Sequence, residues 1–397
     1  MSRDWFRNIQ NQTILAWVIT RVVILCVILL TQNPMITHDP SYYSSHFESH
    51  QPLMEYPFAA EEYLHIIFRL GGASTFNIVF VTVILILDFL ILLMCFKARN
   101  DIAAIFWTLN GLFLGLLIYA RFDLLPAFLV AATLFFIYQN RQKAAAAALA
   151  FGVAFKIWPM YFAYTLVRDR KSKNSLNAVF SFIIISLILA ILTILIKDFG
   201  RLLSPFGAQT KRGLQAESIW GSSLLFLNIF IPRWHVSHPK EIVTDDVVGP
   251  FTSALTHISN VLILLPWVLV LVLAIYFFCR PVDKIRQLIG PSSLLVVLFV
   301  VLSNKVLSTQ YIIWIVVPAT LVIAFNKGRE TRIITVLLTI ASVLTSLYFP
   351  LHYEAYTLGH TIPTIIVFAR NLVLIVTTII VLKWNISIIK KLERIDA

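Results

Sequence analysis

The amino-acid sequence predicts an all-α polytopic membrane protein, and its composition and its apolar runs are the two observations behind that prediction. Hydrophobic residues make up 59% of the 397 positions and charged residues 13%, whereas about 25% of the residues of a soluble protein are charged. The runs 175–196 and 261–279 contain no charged residue, and each is close to the roughly 20 residues that cross a bilayer. We therefore expect one transmembrane domain over residues 1–397, with about 11–13 spanning helices and no separate soluble domain.

The first half of the chain is expected to hold seven spans. The run 14–30 is interpreted as an uncleaved first span rather than a signal peptide, because no small-residue cleavage site follows it. A polar stretch, 33–62, comes next, and the segment 56–70, which overlaps its end, is expected to be an interfacial helix. Spans 2 to 7 are then predicted at 75–96, 102–119, 124–138, 144–155, 157–167 and 175–196. Spans 5 and 6 are short, so they are expected to be tilted, broken or re-entrant.

The second half begins with a long polar loop, 197–254, which is also expected to hold interfacial helices, and continues with five further predicted spans. These spans end near Cys279, Asn304, Lys327, Pro350 and Lys383. Most of the Lys and Arg residues fall in the short loops and tails on one side of this threading, which places that side in the cytoplasm. The prediction is a multi-pass protein of the cell (plasma) membrane with both termini cytoplasmic and the loops 33–62 and 197–254 extracytoplasmic.

The net charge of +12 is explained by these cytoplasmic clusters. Basic residues that bind nucleic acid form a patch or a stripe, whereas here they occupy short gaps between apolar runs. Membrane lipids, and not nucleic acid, are therefore the expected partners.

Several charged and polar residues remain that the topology does not explain, and they gather at the outer side. They are Asp39, Glu55, Arg121, Asp123, Lys156, Lys211, Arg212, Gln215, Glu217 and Lys305. One interpretation is structural: Arg121 and Asp123 pair locally, while the lysines at helix ends extend to the interface. The other is functional, since charges at membrane depth often mark a site.

Two further polar sets have a structural interpretation. Arg21 lies inside span 1, and Asp88 in span 2 is its expected partner, because pairing neutralises both charges. The histidines at 38, 46, 50 and 65 are interpreted as loop polarity rather than metal ligands, since His46 and His50 stand in a stretch without a helical pattern.

Carboxylates beside cations at the membrane surface suit group transfer from a lipid phosphate. A carboxylate can take the proton of an acceptor hydroxyl, and cations stabilise the leaving phosphate. A sugar carried on a polyprenyl phosphate already lies in the bilayer, which would put such a site at the membrane surface.

Four stretches resemble motifs of the polyprenol-phosphate-sugar-dependent glycosyltransferases of GT-C architecture, most closely the mannosyltransferases of glycosyltransferase family 87. They are Asp-Pro-Ser-Tyr-Tyr at 39–43 with Glu-Tyr-Pro-Phe-Ala-Ala at 55–60, Arg-Phe-Asp-Leu-Leu-Pro at 121–126, Arg-Gly-Leu-Gln-Ala-Glu-Ser at 212–218, and Asn-Lys-Val-Leu-Ser-Thr-Gln-Tyr at 304–311. The motifs follow the family's order over most of the chain. Phe58 and Thr309 stand where the family has proline, which affects backbone shape rather than charge.

The resemblance implies a GT-C-like bundle and an inverting hexosyltransferase that moves a sugar, mannose in this family, to a lipid, glycolipid or polysaccharide acceptor. It implies that Asp39 is the general base, with Glu55 as the alternative. Arg212, Lys305 and Lys156 would bind the donor phosphate, and the sugar and acceptor would meet Tyr43, Tyr56, Arg121, Asp123, Gln215, Glu217 and Gln310. No cofactor and no metal ion are expected, because the Asp-x-Asp metal motif is missing from the sequence.

Two other function classes stay open. A polytopic transporter or lipid flippase would also carry charges at span ends, although no internal repeat is evident. A structural membrane subunit would pair its outer charges with one another and leave no pocket.

Overall fold

A computed structural model describes residues 3–31, 34–168, 171–210, 212–238 and 244–396. About 80% of the chain is helical. It divides into two compact units: the first comprises Met1–Met160, Lys173–Phe206 and Val316–Lys327, and the second comprises Tyr161–Ser172, Gly207–Ile315 and Gly328–Ala397. Each unit is described by itself.

Nine α-helices lie in the first 210 residues as the structure describes them. In chain order they are α1 (Arg3–Thr31), α2 (Pro34–Glu48), α3 (Phe58–Lys97), α4 (Asp101–Phe113), α5 (Gly115–Ile118), α6 (Leu124–Tyr138), α7 (Gln142–Phe155), α8 (Lys173–Ile196) and α9 (Phe199–Thr210). A 3₁₀-helix, Trp158–Leu166, stands between α7 and α8.

The rest of the described chain contains eight α-helices and two short strands. The helices are α10 (Ile219–Asn228), α11 (Thr252–Leu262), α12 (Leu264–Phe278), α13 (Val282–Ser303), α14 (Tyr311–Phe325), α15 (Arg329–Tyr348), α16 (Tyr353–Thr357) and α17 (Thr361–Asp396). The strands β1 (His235–Ser237) and β2 (Asp246–Val248) pair antiparallel, with Val236 opposite Val247.

The prediction of a helical, membrane-spanning chain is confirmed. Among the described residues, seven helical segments are long and apolar enough to cross a membrane, and they correspond to the predicted spans 1, 2, 7, 8, 9, 11 and 12. The predicted spans 3, 4, 5 and 10 correspond to the shorter apolar helices α4, α6, α7 and α14. Helix α6 has the bounds that were predicted from the sequence.

One prediction of local structure is wrong: the stretch around His46, interpreted as a loop without helical pattern, is largely the helix α2. Predicted spans 5 and 6 are broken, as expected, because the chain is extended at Lys156 and predicted span 6 is a 3₁₀-helix. The loop 197–254 contains the short strands β1 and β2 besides helices.

Helix α3 is bent at Gly72, which has a left-handed φ of 61°. A residue with a side chain rarely adopts this conformation. The bend separates the predicted interfacial segment from the apolar segment predicted as span 2.

The exposure of apolar side chains distinguishes the lipid-facing helices from the core. Ile184, Leu187 and Leu195 of α8 are exposed, which is favourable for a helix surrounded by lipid. By contrast, 78% of the apolar window of α13 is buried, so α13 forms part of the core of the second unit.

The predicted pairing of Arg21 with Asp88 is confirmed in the first unit. Arg21 Nε lies 2.8 Å from Asp88 Oδ2, and the two side chains are only 2% and 1% exposed. The pair connects α1 with α3 and neutralises both charges inside apolar helices.

Candidate functional site

The expected site residues fall into two groups, one in each unit. The first unit contains Asp39, Tyr43, Glu55, Tyr56, Arg121, Asp123 and Lys156, and the second contains Arg212, Gln215, Glu217, Lys305 and Gln310. Lys211 lies outside the described residues.

Asp39 stands on α2 and forms an ion pair with Arg121, which lies in the turn between α5 and α6. His38 Nδ1 lies 3.3 Å from Asp39 Oδ1. The side chain of Asp39 remains 18% exposed and that of Arg121 10% exposed. Two residues 82 positions apart in the sequence are thus brought together in the first unit, and the carboxylate of Asp39 remains partly accessible to solvent.

The environment of Asp39 keeps its carboxylate ionised. Burial raises the pKa of Asp39, but the charge of Arg121 and the hydrogen bond with His38 lower it more, so the pKa lies below its usual value. At neutral pH this side chain is therefore an anion that can accept a proton.

Two tyrosines extend the hydrogen bonding of Asp39 into the first unit. Tyr43, one helical turn further along α2, donates to Asp39 Oδ2 at 3.3 Å, and its hydroxyl lies 2.8 Å from that of Tyr56. Burial raises the pKa of both phenols well above the usual value. They therefore stay protonated and can act as neutral hydrogen-bond donors.

A second ion pair lies next to these tyrosines. Lys156 Nζ is 2.6 Å from Asp123 Oδ1 and 5.7 Å from the centre of the Tyr56 ring. The interpretation of Arg121 and Asp123 as a mutual local pair is wrong in the structure, because Arg121 pairs with Asp39 and Asp123 with Lys156.

Glu55, the alternative base, accepts a hydrogen bond from Tyr42 Oη at 2.8 Å. It belongs to the segment that joins α2 to α3. Arg201, which the sequence motifs did not single out, holds this segment in place. Arg201 of α9 donates to the carbonyl of Tyr56 at 2.8 Å and to that of Leu53 at 3.1 Å, and it forms an ion pair with Glu61 at 2.6 Å. No local pattern could reveal Arg201, because its partners are about 140 positions away.

In the second unit, the segment 212–218 is held by backbone hydrogen bonds on two sides. Gln215 N donates to the carbonyl of Lys305 at 3.1 Å, and Ala216 N donates to that of Asp245 at 2.8 Å. The segment also forms an isolated bridge with β2 at Asp246. Because of this pairing, two motifs that are about 90 positions apart lie side by side.

The pairing places two cations near one another. Burial lowers the pKa of Lys305, Asp246 counteracts this effect, and the charge of Arg212 lowers the pKa further. The net effect on the pKa of Lys305 is a decrease. Two cations that repel each other in this way are stabilised by a bound anion.

Buried polar atoms without a partner lie in the segment 212–218 and at Asp246, the residue of β2 that pairs with it. Among the described residues, Arg212 Nε, Gln215 Oε1 and Asp246 Oδ1 are buried and have no hydrogen-bond partner. Such an atom costs about 1–3 kcal/mol, so atoms of this kind are expected where a polar ligand supplies the missing hydrogen bond.

Glu217 is enclosed. Its side chain is 1% exposed and accepts hydrogen bonds from Thr309 at 2.5 Å and Tyr348 at 2.6 Å. Burial raises the pKa of Glu217 more than the charge of Arg370 lowers it. In this geometry the carboxylate holds the segment 212–218 in place.

Two residues inside predicted span 12 support the same segment and were missed. Arg370 donates to the Glu217 carbonyl at 3.0 Å, and Asn371 donates to Ser222 Oγ at 2.7 Å. The rule that singled out Arg21, a charge within an apolar span, also applies to Arg370 and could have found it.

Gln310 is half-buried and accepts a hydrogen bond from Ser308 Oγ at 2.9 Å. Among the described residues, no group of three or more His, Cys, Asp or Glu side chains could hold a metal ion. The expectation of a metal-independent reaction stays a prediction.

The sequence matches no protein-family model and no characterised protein. The candidate site therefore rests on its geometry and on the four motifs that suggested it.

Proposed function

We propose that the protein is an inverting glycosyltransferase that moves a sugar from a polyprenyl phosphate to a lipid, glycolipid or polysaccharide acceptor. The resemblance of its motifs indicates mannose as the sugar. The observation that carries the proposal is the ionised, partly exposed carboxylate of Asp39, which lies on a short helix outside the long apolar helices and is paired with Arg121.

In the proposed reaction, Asp39 takes the proton of the acceptor hydroxyl as the acceptor oxygen attacks the anomeric carbon. The bond between that carbon and the phosphate oxygen breaks, and the polyprenyl phosphate leaves with the electron pair. One carboxylate acting as a base, without a covalent intermediate, gives inversion at this carbon.

The neighbours of Asp39 suit a base that must stay in position. The buried hydroxyl of Tyr43 hydrogen bonds to the second carboxylate oxygen, while Arg121 binds the first. An acceptor hydroxyl that approaches the exposed edge of Asp39 meets an oriented anion. Glu55, which accepts a hydrogen bond from Tyr42, is the alternative base.

Arg212 and Lys305 are the proposed ligands of the donor phosphate. Their mutual repulsion and the buried unpartnered atoms of Arg212 and Gln215 support this assignment, because a phosphate oxygen accepts and a sugar hydroxyl donates hydrogen bonds. Lys156, which forms an ion pair with Asp123, is a less favourable phosphate ligand.

The proposed site is extracytoplasmic, with both termini in the cytoplasm. The bias of Lys and Arg toward the predicted inner loops supports this orientation. In a chain whose three native cysteines are replaced by alanine, single cysteines introduced at exposed Ser41 and at exposed Arg329 should react with a membrane-impermeant thiol reagent from opposite sides of intact cells. Reaction of both positions from the same side would contradict the orientation.

The experiment that tests the function is transfer of labelled sugars from a panel of polyprenyl-phosphate donors in membranes that contain the full chain. Asp39→Asn should lower transfer by about 10²–10⁴-fold, the usual contribution of a general base, at an unchanged protein level. Asp283→Asn, which changes an exposed carboxylate at the start of α13, is the matched control and should leave transfer unchanged.

Each other outcome has a defined meaning. Full activity in Asp39→Asn together with a loss in Glu55→Gln would move the base to Glu55. Absence of transfer from every donor in the panel would overturn the proposed function.

The transporter hypothesis has one observation in its favour, the charges buried within apolar helices at Arg21, Asp88 and Arg370. All three have hydrogen-bond partners within the protein, which suits a structural role better than a role in a transport pathway. Movement of a labelled prenyl lipid across vesicles, without sugar transfer, would favour transport.

A further inference from the structure

A basic groove lies on the C-terminal part of α17, between Lys383 and Arg394, remote in sequence from all of the motifs. It has a volume of about 550 Å³ and is lined by Lys383, Ile386, Ser387, Lys390, Lys391 and Arg394. Four of these six residues are cations and none is acidic. The function proposed above does not use this groove.

The helical period explains why these side chains share one face. Steps of four, three and four residues lead from Lys383 through Ser387 and Lys390 to Arg394, and such steps follow one side of an α-helix. The opposite side is buried at Asn385 and Leu392. The basic face therefore points away from the rest of the second unit.

The same face of α17 is apolar on the N-terminal side of the groove. Exposed side chains occur at Ile365, Leu372, Val376 and Ile379, and the next step of four residues reaches Lys383. Large exposed apolar side chains of this kind are typical of a surface that contacts lipid chains. The groove thus continues a lipid-facing ridge without a change of face.

The position along the helix fits the edge of the hydrocarbon. Lys383 is 22 residues beyond Thr361, which is about 33 Å at 1.5 Å per residue. The hydrocarbon core is about 30 Å thick. A helix that enters the bilayer near Thr361 therefore brings Lys383 to the level of the lipid headgroups on the other side.

From these observations, we infer that the groove binds the headgroup of an anionic phospholipid, whose acyl chains lie along the ridge formed by Ile365, Leu372, Val376 and Ile379. Lys390 and Arg394, four residues apart, repel each other on a helix surface, and a phosphate between them removes that repulsion. Glu393 is exposed but does not line the groove. The inference does not depend on the proposed transferase activity.

The test measures lipid binding to the purified full chain in detergent by native mass spectrometry. Phosphatidylglycerol is the anionic probe and phosphatidylcholine the zwitterionic one. The double variant Lys390→Gln/Arg394→Gln should bind phosphatidylglycerol about tenfold more weakly or worse than the unchanged protein. The matched variant Lys327→Gln/Arg329→Gln removes two exposed cations from another predicted cytoplasmic loop and should bind as the unchanged protein does.

Three results would overturn the inference. Equal weakening in both double variants would indicate general attraction between charges. Equal binding of the two phospholipids would remove the role of headgroup charge. Competition by free glycerol phosphate as strong as that by the whole lipid would remove the role of the apolar ridge. Because the substituted side chains are exposed, the unfolding temperature without lipid should be unchanged and serves as the folding control.

Discussion

The first unit contains two arginine–aspartate pairs, which consist of the same residue types in different surroundings. We call the buried pair of Arg21 with Asp88 the sealed pair, and in it Arg21 binds both carboxylate oxygens of Asp88, at 2.8 and 2.9 Å. Trp17 and Tyr119 donate to the same carboxylate at 3.0 and 2.5 Å, and the remaining arm of Arg21 donates to the Thr108 carbonyl at 2.8 Å. Charge and hydrogen-bonding capacity are both satisfied within the protein.

The open pair, Asp39 with Arg121, reaches the surface. Besides Arg121, the carboxylate of Asp39 has two long contacts, with His38 and Tyr43, both at 3.3 Å. Its side chain is 18% exposed, against 1% for Asp88. A buried pair with complete hydrogen bonding holds helices together, whereas a partly exposed carboxylate with longer contacts can exchange them for a substrate. The structural pair and the proposed catalytic pair consist of the same residue types. They differ in solvent exposure and in how completely the carboxylate is hydrogen-bonded within the protein.

The largest expected difference between the pairs is in stability. Asp88→Asn removes the charge that balances Arg21, and an uncompensated buried charge costs about 3–5 kcal/mol. The Asp39 side chain is 18% exposed, so water can replace part of its contact with Arg121 in Asp39→Asn, and we expect a smaller loss than in Asp88→Asn. Unfolding of both variants in the same detergent, followed by circular dichroism, measures the difference. Equal losses would show that the open pair also holds the fold.

A smaller effect is expected from crowding the sealed pair without changing its charge. A Cβ atom on Gly111 would overlap the guanidinium of Arg21 at Nη2, so Gly111→Ala must displace the guanidinium and should cost about 1–3 kcal/mol. Gly152→Ala is the matched control, because the nearest atom to its Cβ, in Pro159, is 3.3 Å away. If thermal unfolding shows the same loss for both, the packing around Arg21 is not the cause.

The sealed pair was predictable from the sequence, and the reason is physical. Charges inside apolar runs are rare and each needs a partner, so Asp88 in span 2 was the expected partner of Arg21 in span 1. The long apolar segments were predictable on the same basis, since hydropathy alone fixes where a helix can contact lipid. For α6 the sequence predicted both ends, at Leu124 and Tyr138.

The open pair and its surroundings were only partly predictable. The motifs singled out Asp39 and Arg121 separately, but the pairing depends on how α2 packs, and α2 itself was interpreted as a loop. The polar composition of α2 hides its helical period, and its internal Pro40 argues against a helix. Arg201 was missed because its contacts with Tyr56 and Glu61 arise only in the tertiary structure.

The smallest effect is expected from weakening the open pair alone, and it concerns pH rather than stability. The charge of Arg121 holds the pKa of Asp39 below its usual value against the effect of burial. In Arg121→Gln the effect of burial dominates, so the pKa of Asp39 rises. Transfer depends on the ionised carboxylate and is lost as the pH falls through that pKa. The acid limb of the pH–rate profile should therefore move to higher pH in the variant.

Lys305→Gln is the control for this shift, because the proposed role of Lys305 is to bind the donor phosphate. It should raise KM for the donor and leave the acid limb in place. Rates of sugar transfer measured across pH at saturating donor for the unchanged protein and both variants separate the two roles. An acid limb that stays in place in Arg121→Gln would mean that the open pair does not set the protonation of the base, and that Asp39 is held in place by Arg121 as Asp88 is by Arg21.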